Sequence, residues 1–188
     1  MAVSEKAALR RHLRALFPGE AARAEESRLL SLHILASDLY CHAQIVGGYV
    51  PLRHEADVTA VLLDVLASGR TLALPLCGQP PHMTLRRVTS LEELLPGAYG
   101  IPEPREDTEI IPVDALHLLL TPLEGIDPRG MRLGKGGGYY DCLLAEKRVQ
   151  TLGCALKHQW VERVPAMAWD MRLTACADRD GVHIFDNV

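Results

Sequence analysis

Short, continuously apolar runs alternate with helix-patterned segments along most of the chain, and this constrains the fold more than any other feature. Gln44 to Val50, Thr71 to Leu76, Ala115 to Thr121 and Thr151 to Leu156 read as buried strands. A shorter strand is expected near Met83 to Val88, and another near Val182 to Phe185. Between and before them lie helical patterns. Leu9, Leu13, Leu16 and Phe17 form a stripe in an opening helix, with Ser4 as its expected N-cap and Pro18-Gly19 as its stop. A second helix is expected from Glu20 to Leu39 with Leu29, Leu32 and Leu35 inward. Asp57 is the expected N-cap of a helix carrying Val61, Leu62 and Val65 and closed by Gly69, and a further helix is expected from Tyr139 to Val149. Strands apolar on both faces, alternating with helices, predict a three-layer α/β/α fold around a mainly parallel sheet. In such sheets ligands bind beyond the carboxyl ends of the strands, so the loops after them carry the information.

The chain has 188 residues, enough for one domain that buries a core without staples, and residues 1–188 are expected to form a single domain. No apolar run is long enough to span a membrane, and the N-terminus lacks the apolar core of a signal peptide, so a cytoplasmic protein is expected. The five cysteines include no C-x-x-C pair and read as reduced thiols, with Cys77 and Cys154 in the core. No histidine–cysteine spacing of a zinc site occurs. A net charge of −4 disfavours nucleic acid and anionic lipid as partners.

The loop after the most apolar strand is the segment with chemistry in it. Thr121 to Asp141 contains Gly125, Gly130, Gly134, Gly136, Gly137 and Gly138 just ahead of a helix. Backbone N–H groups in such a loop, together with a helix N-terminus, make an anion site. Arg132 and Lys135 can neutralise phosphate there, and Asp127 and Asp141 can hold Mg²⁺ on it. The spacing is neither G-x-x-x-x-G-K-[ST] nor G-x-G-x-x-G. On composition alone, a flexible surface connection accounts for the glycines equally well.

The order of residues in that loop is more specific. Arg132-Leu133-Gly134-Lys135-Gly136-Gly137-Gly138-Tyr139-Tyr140-Asp141 resembles the R-L-G-x-G-x-G-Y-Y-D signature of the 5-formyltetrahydrofolate cyclo-ligase (5,10-methenyltetrahydrofolate synthetase) family. Pro122 and Asp127 stand where that family has a P…(F)D segment, with Ile126 in place of the aromatic. Lys6 and Arg10 match its K-x-x-x-R opening, and Tyr49-Val50-Pro51 with Glu55 and Asp57 its Y-V-P-x-x-x-E-x-D segment. Gly100-Ile101-Pro102-Glu103-Pro104 matches G-I-x-E-P, and Gly153 to Gln159, Val164-Pro165 and Asp170 follow its closing pattern. Trp169, Asp178 and Cys142 depart from residues common in bacterial members, which carry His, Thr and Arg there.

The resemblance implies a NagB/RpiA/CoA-transferase-like fold and ATP- and Mg²⁺-dependent conversion of 5-formyltetrahydrofolate to 5,10-methenyltetrahydrofolate. The formyl oxygen would be phosphorylated and N10 would then close the ring. ATP would be held by Lys6, Arg10 and the run Arg132, Leu133, Gly134, Lys135, Gly136, Gly137, Gly138, Tyr139 and Tyr140. The folate would contact Val50 and Glu55, and also Lys135, Gly136, Gly137, Gly138 and Tyr139. Arg132, Lys135 and Tyr139 are the catalytic residues so implied, and Asp141 with Asp170 the Mg²⁺ ligands. The partner implied is a reduced folate, with or without a polyglutamate tail, bound by a monomer or homodimer.

Each residue also has a plainer role open to it. Lys6 and Arg10 would suit a solvated helix face, Asp141 a cap and Glu55 a surface loop. Of Tyr139 and Tyr140, one is expected to stack on a flat ring and the other to pack beneath the loop. Trp169 is either a pocket wall or a core residue, and Glu103 locks a Pro-rich turn. His54 and His82 lie near the presumed cleft without a catalytic role. Two rival functions remain at this level: an ATP-using enzyme of the same family with another formyl or amide substrate, and a non-catalytic folate- or nucleotide-binding protein.

Overall fold

The structure, a computed structural model, describes residues 2–97, 100–145 and 149–185. Its helices are α1 (Ala2–Ala15), α2 (Glu20–Leu35), α3 (Asp38–Cys41), α4 (Thr59–Ala67) and α5 (Tyr139–Leu144). Its strands are β1 (Ile45–Gly47), β2 (Thr71–Cys77), β3 (Met83–Val88), β4 (Leu95–Pro96), β5 (Pro102–Glu103), β6 (Leu118–Thr121), β7 (Gly125–Ile126), β8 (Arg132–Leu133), β9 (Thr151–Cys154), β10 (Ala175–Asp178) and β11 (Gly181–Ile184).

One seven-stranded sheet has the order β11-β10-β9-β6-β1-β2-β3. Its five central strands are parallel, and β3 and β11 are added antiparallel at the two edges. The strand period of two divides the side chains between two cores. Leu72, Leu74, Leu118, Leu120, Leu152 and Cys154 meet Leu30 and Ile34 of α2 and Val61, Leu62 and Val65 of α4 on one face. Ala73 and Leu119 turn the other way, toward Leu144 of α5 with Leu116 and Ile111. Farther along this second face Leu123, Ile126, Leu173, Cys176 and Phe185 form a separate cluster. The expected α/β layering is therefore present, with the second outer layer built from α5 and loops rather than long helices. No helix among the described residues is long and apolar enough to cross a membrane.

Several boundaries differ from the sequence reading, each for a local reason. Ser4 lies within α1 rather than capping it, because Ala2 already favours helix. The expected helix to Leu39 breaks after Leu35: the Ser37 hydroxyl donates to the Ile34 carbonyl and accepts from Tyr40 N–H, ending α2 and capping α3. The inward face of α2 carries Glu26, Ser27, Leu30, Ser31 and Ile34, while Leu32 is exposed. The polar members of that face bond to neighbouring loops, since Glu26 accepts from Lys157 N–H and Ser27 from Asp57 N–H. A hydrophobic stripe cannot reveal such a face. Asp57 accepts from Thr59 N–H but stands one residue before the N-cap position, which Val58 occupies. β10, Ala-Cys-Ala-Asp, is fully buried yet too small in its side chains to stand out as an apolar run. Of the helix expected through Val149, the described part ends at Leu144, and residues 146–148 lie outside the described residues.

Candidate active site

From β1 the parallel sheet grows to one side through β2 and to the other through β6, β9 and β10. The direction of winding reverses between β1 and β6. At such a point the two following loops diverge and leave a crevice beyond the carboxyl ends. A cleft of about 580 Å³ opens there, lined by Tyr49, Val50, Leu52 and Glu55 after β1, by Pro122 and Leu123 after β6, and by Pro75 and Cys77 from β2.

Helix α1 forms one wall. It lies across the end of the sheet, with Leu13 buried against Leu133, Met131 and Val164. Arg14 pairs with the buried Glu124 carboxylate through two bonds of 2.7 and 2.9 Å. This pairing holds the Arg14 guanidinium above its ordinary pKa, the hydrogen bond outweighing burial. So anchored, α1 turns Lys6 and Arg10 into the cleft. Arg10 Nε donates to the Gly134 carbonyl at 2.6 Å. Burial lowers the Arg10 pKa, yet an arginine so shifted remains a cation at neutral pH.

The glycine loop forms the facing wall. Gly138, in the left-handed conformation at φ 72°, starts α5 without a side-chain cap. Gly134 has no room for more: a Cβ there would come within 2.6 Å of the Arg132 guanidinium. Arg132 is thereby held under the loop, 3.2 Å from Asp141 and over the Tyr140 ring.

The structure gathers the residues singled out in the sequence as follows. Lys6, Arg10, Val50, Glu55, Arg132, Gly134 to Asp141 and Asp170 all line the one cleft. Leu133 does not; its side chain is fully buried on the α1 side. Asp127 does not either, and its expected Mg²⁺ role is corrected. It is fully buried, and its oxygens accept from Arg129, from the Arg129 and Met131 backbone and from Val164 N–H. Burial alone would raise its pKa, but these bonds together bring it below the ordinary value. Cys77, expected in the core, is half-buried and lines the cleft. Burial, with help from Glu103, pushes its thiol up to about 12, so it is not a nucleophile at neutral pH. Tyr140 packs under the loop as one of the pair was expected to, while Tyr139 lines the cleft. Trp169 is exposed at the rim and is not a core residue. Asp178 does not line the cleft; it locks the β10–β11 turn by accepting from Asp180 and Gly181 N–H. Val3, Cys77, Met83, Ile101 and Met167 complete the lining; they come from distant segments and carry no common sequence signal.

Charge is neutralised internally. Lys6 meets Asp170 at 2.5 Å, Arg132 meets Asp141 at 3.2 Å, and Lys135 reaches across to Glu55 at 2.8 Å. Poorly solvated charges require such partners. Among the described residues, the bonds of Arg132 and Met171 to Asp141 fall on Oδ1, and those of Lys6 and Met167 to Asp170 on Oδ2. Among the described residues no group of three or more His, Cys, Asp or Glu could hold a metal alone. Two carboxylates, each with a second oxygen turned to other use, instead suit Mg²⁺ carried in on phosphate oxygens, the usual way that ion binds. Among the described residues, Arg132 Nε and the Tyr140 hydroxyl are buried without a hydrogen-bond partner.

Residues 2–177 match the 5-formyltetrahydrofolate cyclo-ligase family. The chain belongs to that family. Among curated relatives, the 5-formyltetrahydrofolate cyclo-ligase of Mus musculus is 30% identical over 181 residues, covering 89% of this chain and 88% of the relative. That of Escherichia coli K12 is 27% identical over 173 residues, covering 89% and 94%. The 5,10-methenyltetrahydrofolate synthetase of Aquifex aeolicus superposes with a TM-score of 0.84 at 28% identity, covering 97% of this chain and 94% of that one. The Mycoplasma pneumoniae synthetase shares the fold, with a TM-score of 0.74 at 17% identity. Cyclo-ligase family membership places the chain among ligases of folate one-carbon metabolism. The family match spans both walls of the cleft, from Lys6 on α1 to Asp170.

Proposed function

We propose that this chain uses ATP and Mg²⁺ to convert 5-formyltetrahydrofolate into 5,10-methenyltetrahydrofolate. The observation that carries the reading is the convergence, in one cleft at the reversal of the sheet, of four cations (Lys6, Arg10, Arg132 and Lys135) with the carboxylates of Asp141, Asp170 and Glu55.

An N-formyl group is an amide, and its oxygen leaves poorly. The formyl oxygen attacks the γ-phosphorus, forming a C–O–P link as the bond to ADP breaks. N10 then attacks the formyl carbon and loses its proton. The C–O bond breaks, and inorganic phosphate leaves with the electron pair. Such transfers depend on positioning and on charge stabilisation rather than on a protein nucleophile. Arg132, pre-placed beneath the loop, and Lys6 and Arg10 on α1 hold the phosphates. The N–H groups of Gly136 to Tyr139 surround the moving phosphoryl. Asp141 and Asp170 would hold Mg²⁺, which would supply charge neutralisation at the phosphates. Glu55 accepts from the N–H groups of the pterin, with Val50 against its ring. Lys135 gives up Glu55 as it turns to phosphate. Five unpaired cysteines support a reducing, cytoplasmic setting.

Purified protein with Mg²⁺-ATP and 5-formyltetrahydrofolate should develop the near-ultraviolet absorbance of the methenyl product. Absence of product while ATP binds would refute the substrate assignment. Glu55→Gln removes the charge that pairs with Lys135 and replaces one of the two acceptor oxygens offered to the pterin with a donor amide. It is expected to raise the KM for the folate by about tenfold, as loss of one charge-assisted bond does, with nucleotide affinity nearly unchanged. An equal loss for both substrates would move Glu55 out of the folate subsite.

A further inference from the structure

The nucleotide reading accounts for the cations and carboxylates but leaves an apolar rim without a task. Val3 and Trp169 line the mouth of the cleft and are 66% and 64% exposed. An exposed tryptophan is an informative departure from ordinary burial. Its mounting is rigid. Met167 to Asp170 form a tight turn in which Asp170 N–H donates to the Met167 carbonyl, Met167 N–H donates to the Asp170 carboxylate, and Lys6 pairs with that same carboxylate. Trp169 is displayed from the middle of this turn.

We infer that Trp169, with Val3 at the same mouth, is the stacking platform for the nucleobase of the bound nucleotide. The inference rests on the nucleotide reading above. Val3, Lys6 and Arg10 recur at helical spacing and share one face of α1, about 10 Å from end to end at 1.5 Å per residue. Arg10 marks the inner end, bonded to the Gly134 carbonyl beneath the glycine loop. Lys6 marks the middle, at Asp170. Val3 marks the outer end. Glu55, paired with Lys135 next to Gly134, lies at the Arg10 end and claims the folate. A nucleotide whose terminal phosphates lie at Arg10 and Arg132 must then extend its base away from Glu55, along α1, and out to Val3 and Trp169. A flat base and an indole match in shape and in apolar character, and stacking of this kind tolerates any base.

The chain's two tryptophans make this measurable, since Trp160 packs against His183 and Phe185 and does not line the cleft. The probes are the β,γ-imido analogue of ATP and inorganic tripolyphosphate, each with Mg²⁺, titrated into the whole protein by calorimetry and by tryptophan fluorescence. The analogue should change the fluorescence of the wild type, and tripolyphosphate should not. Trp169→Leu should weaken the analogue by about tenfold, the scale of one base stacked on an aromatic ring, and leave tripolyphosphate affinity unchanged. Trp169→Phe should recover most of the loss. Equal analogue affinity in wild type and Trp169→Leu would overturn the inference alone, as would equal weakening of both probes or the same fluorescence change with 5-formyltetrahydrofolate only. Failure of the wild type to bind either probe would overturn the nucleotide reading and this inference with it.

Discussion

Arg132→Ala is expected to lower turnover by about a thousandfold, the scale on which one pre-placed charge donor acts on a transition state. Arg132 is almost fully buried, sits 3.2 Å from Asp141 and lies below a glycine whose Cβ would displace it. Its place is therefore set before any ligand arrives. The stability cost should be small by comparison, about 1–2 kcal/mol, because Asp141 keeps Met171 N–H as a donor and is partly reached by water. For a chain of this length that is a fall in Tm of about 2–8 °C. Arg132→Lys should restore little, since an ammonium cannot reproduce the planar fork. Methenyl formation at saturating substrates and a thermal melt of the same sample separate the two effects. A variant that melts early but turns over normally would remove Arg132 from the site.

Asp127→Ala should do the opposite and act on the fold. Its carboxylate is the shared acceptor for Arg129, Met131 and Val164, so its loss strands the Met131 and Val164 N–H groups at buried positions. Arg129 is partly exposed and can be rehydrated, which limits the charge penalty. The two stranded N–H groups, at roughly 1–2 kcal/mol each, set a loss of about 3 kcal/mol and a fall in Tm of about 6–12 °C. The pH dependence has a definite sign. The native pKa of Asp127 lies below its ordinary 3.8, so the carboxylate's contribution is complete above that value and is lost as pH falls through the lower native one. Asp127→Asn should lack that increment of acid sensitivity. Equal acid unfolding profiles for Asp127→Asn and wild type would show that the group is not part of the acid response.

The family signature spans residues that look alike in the sequence and behave differently in space. Leu133 stands between Arg132 and Gly134, yet its side chain packs under α1 because adjacent residues of a strand face opposite ways. Asp127 and Asp141 are both acidic residues of the same loop. Asp127 is enclosed by backbone donors and Asp141 opens on the cleft, a distinction made by the β7–β8 ribbon and the segment at Val164, far along the chain. Cys77 sits in an apolar run, and only the end of β2 at the crevice exposes it.

Local sequence determined where most elements lie, because strand and helix periodicities and breakers such as Pro18-Gly19 and Pro122 act over a few residues. It determined the composition of the phosphate-binding loop as well, since close backbone approach requires glycine at set positions. Only the tertiary structure decided which charges meet. The pairings of Lys6 with Asp170, separated by 164 residues, and of Glu55 with Lys135 arise from the reversal of strand order between β1 and β6. Distance in space between such groups is fixed by how layers pack, and short-range pattern carries no record of it.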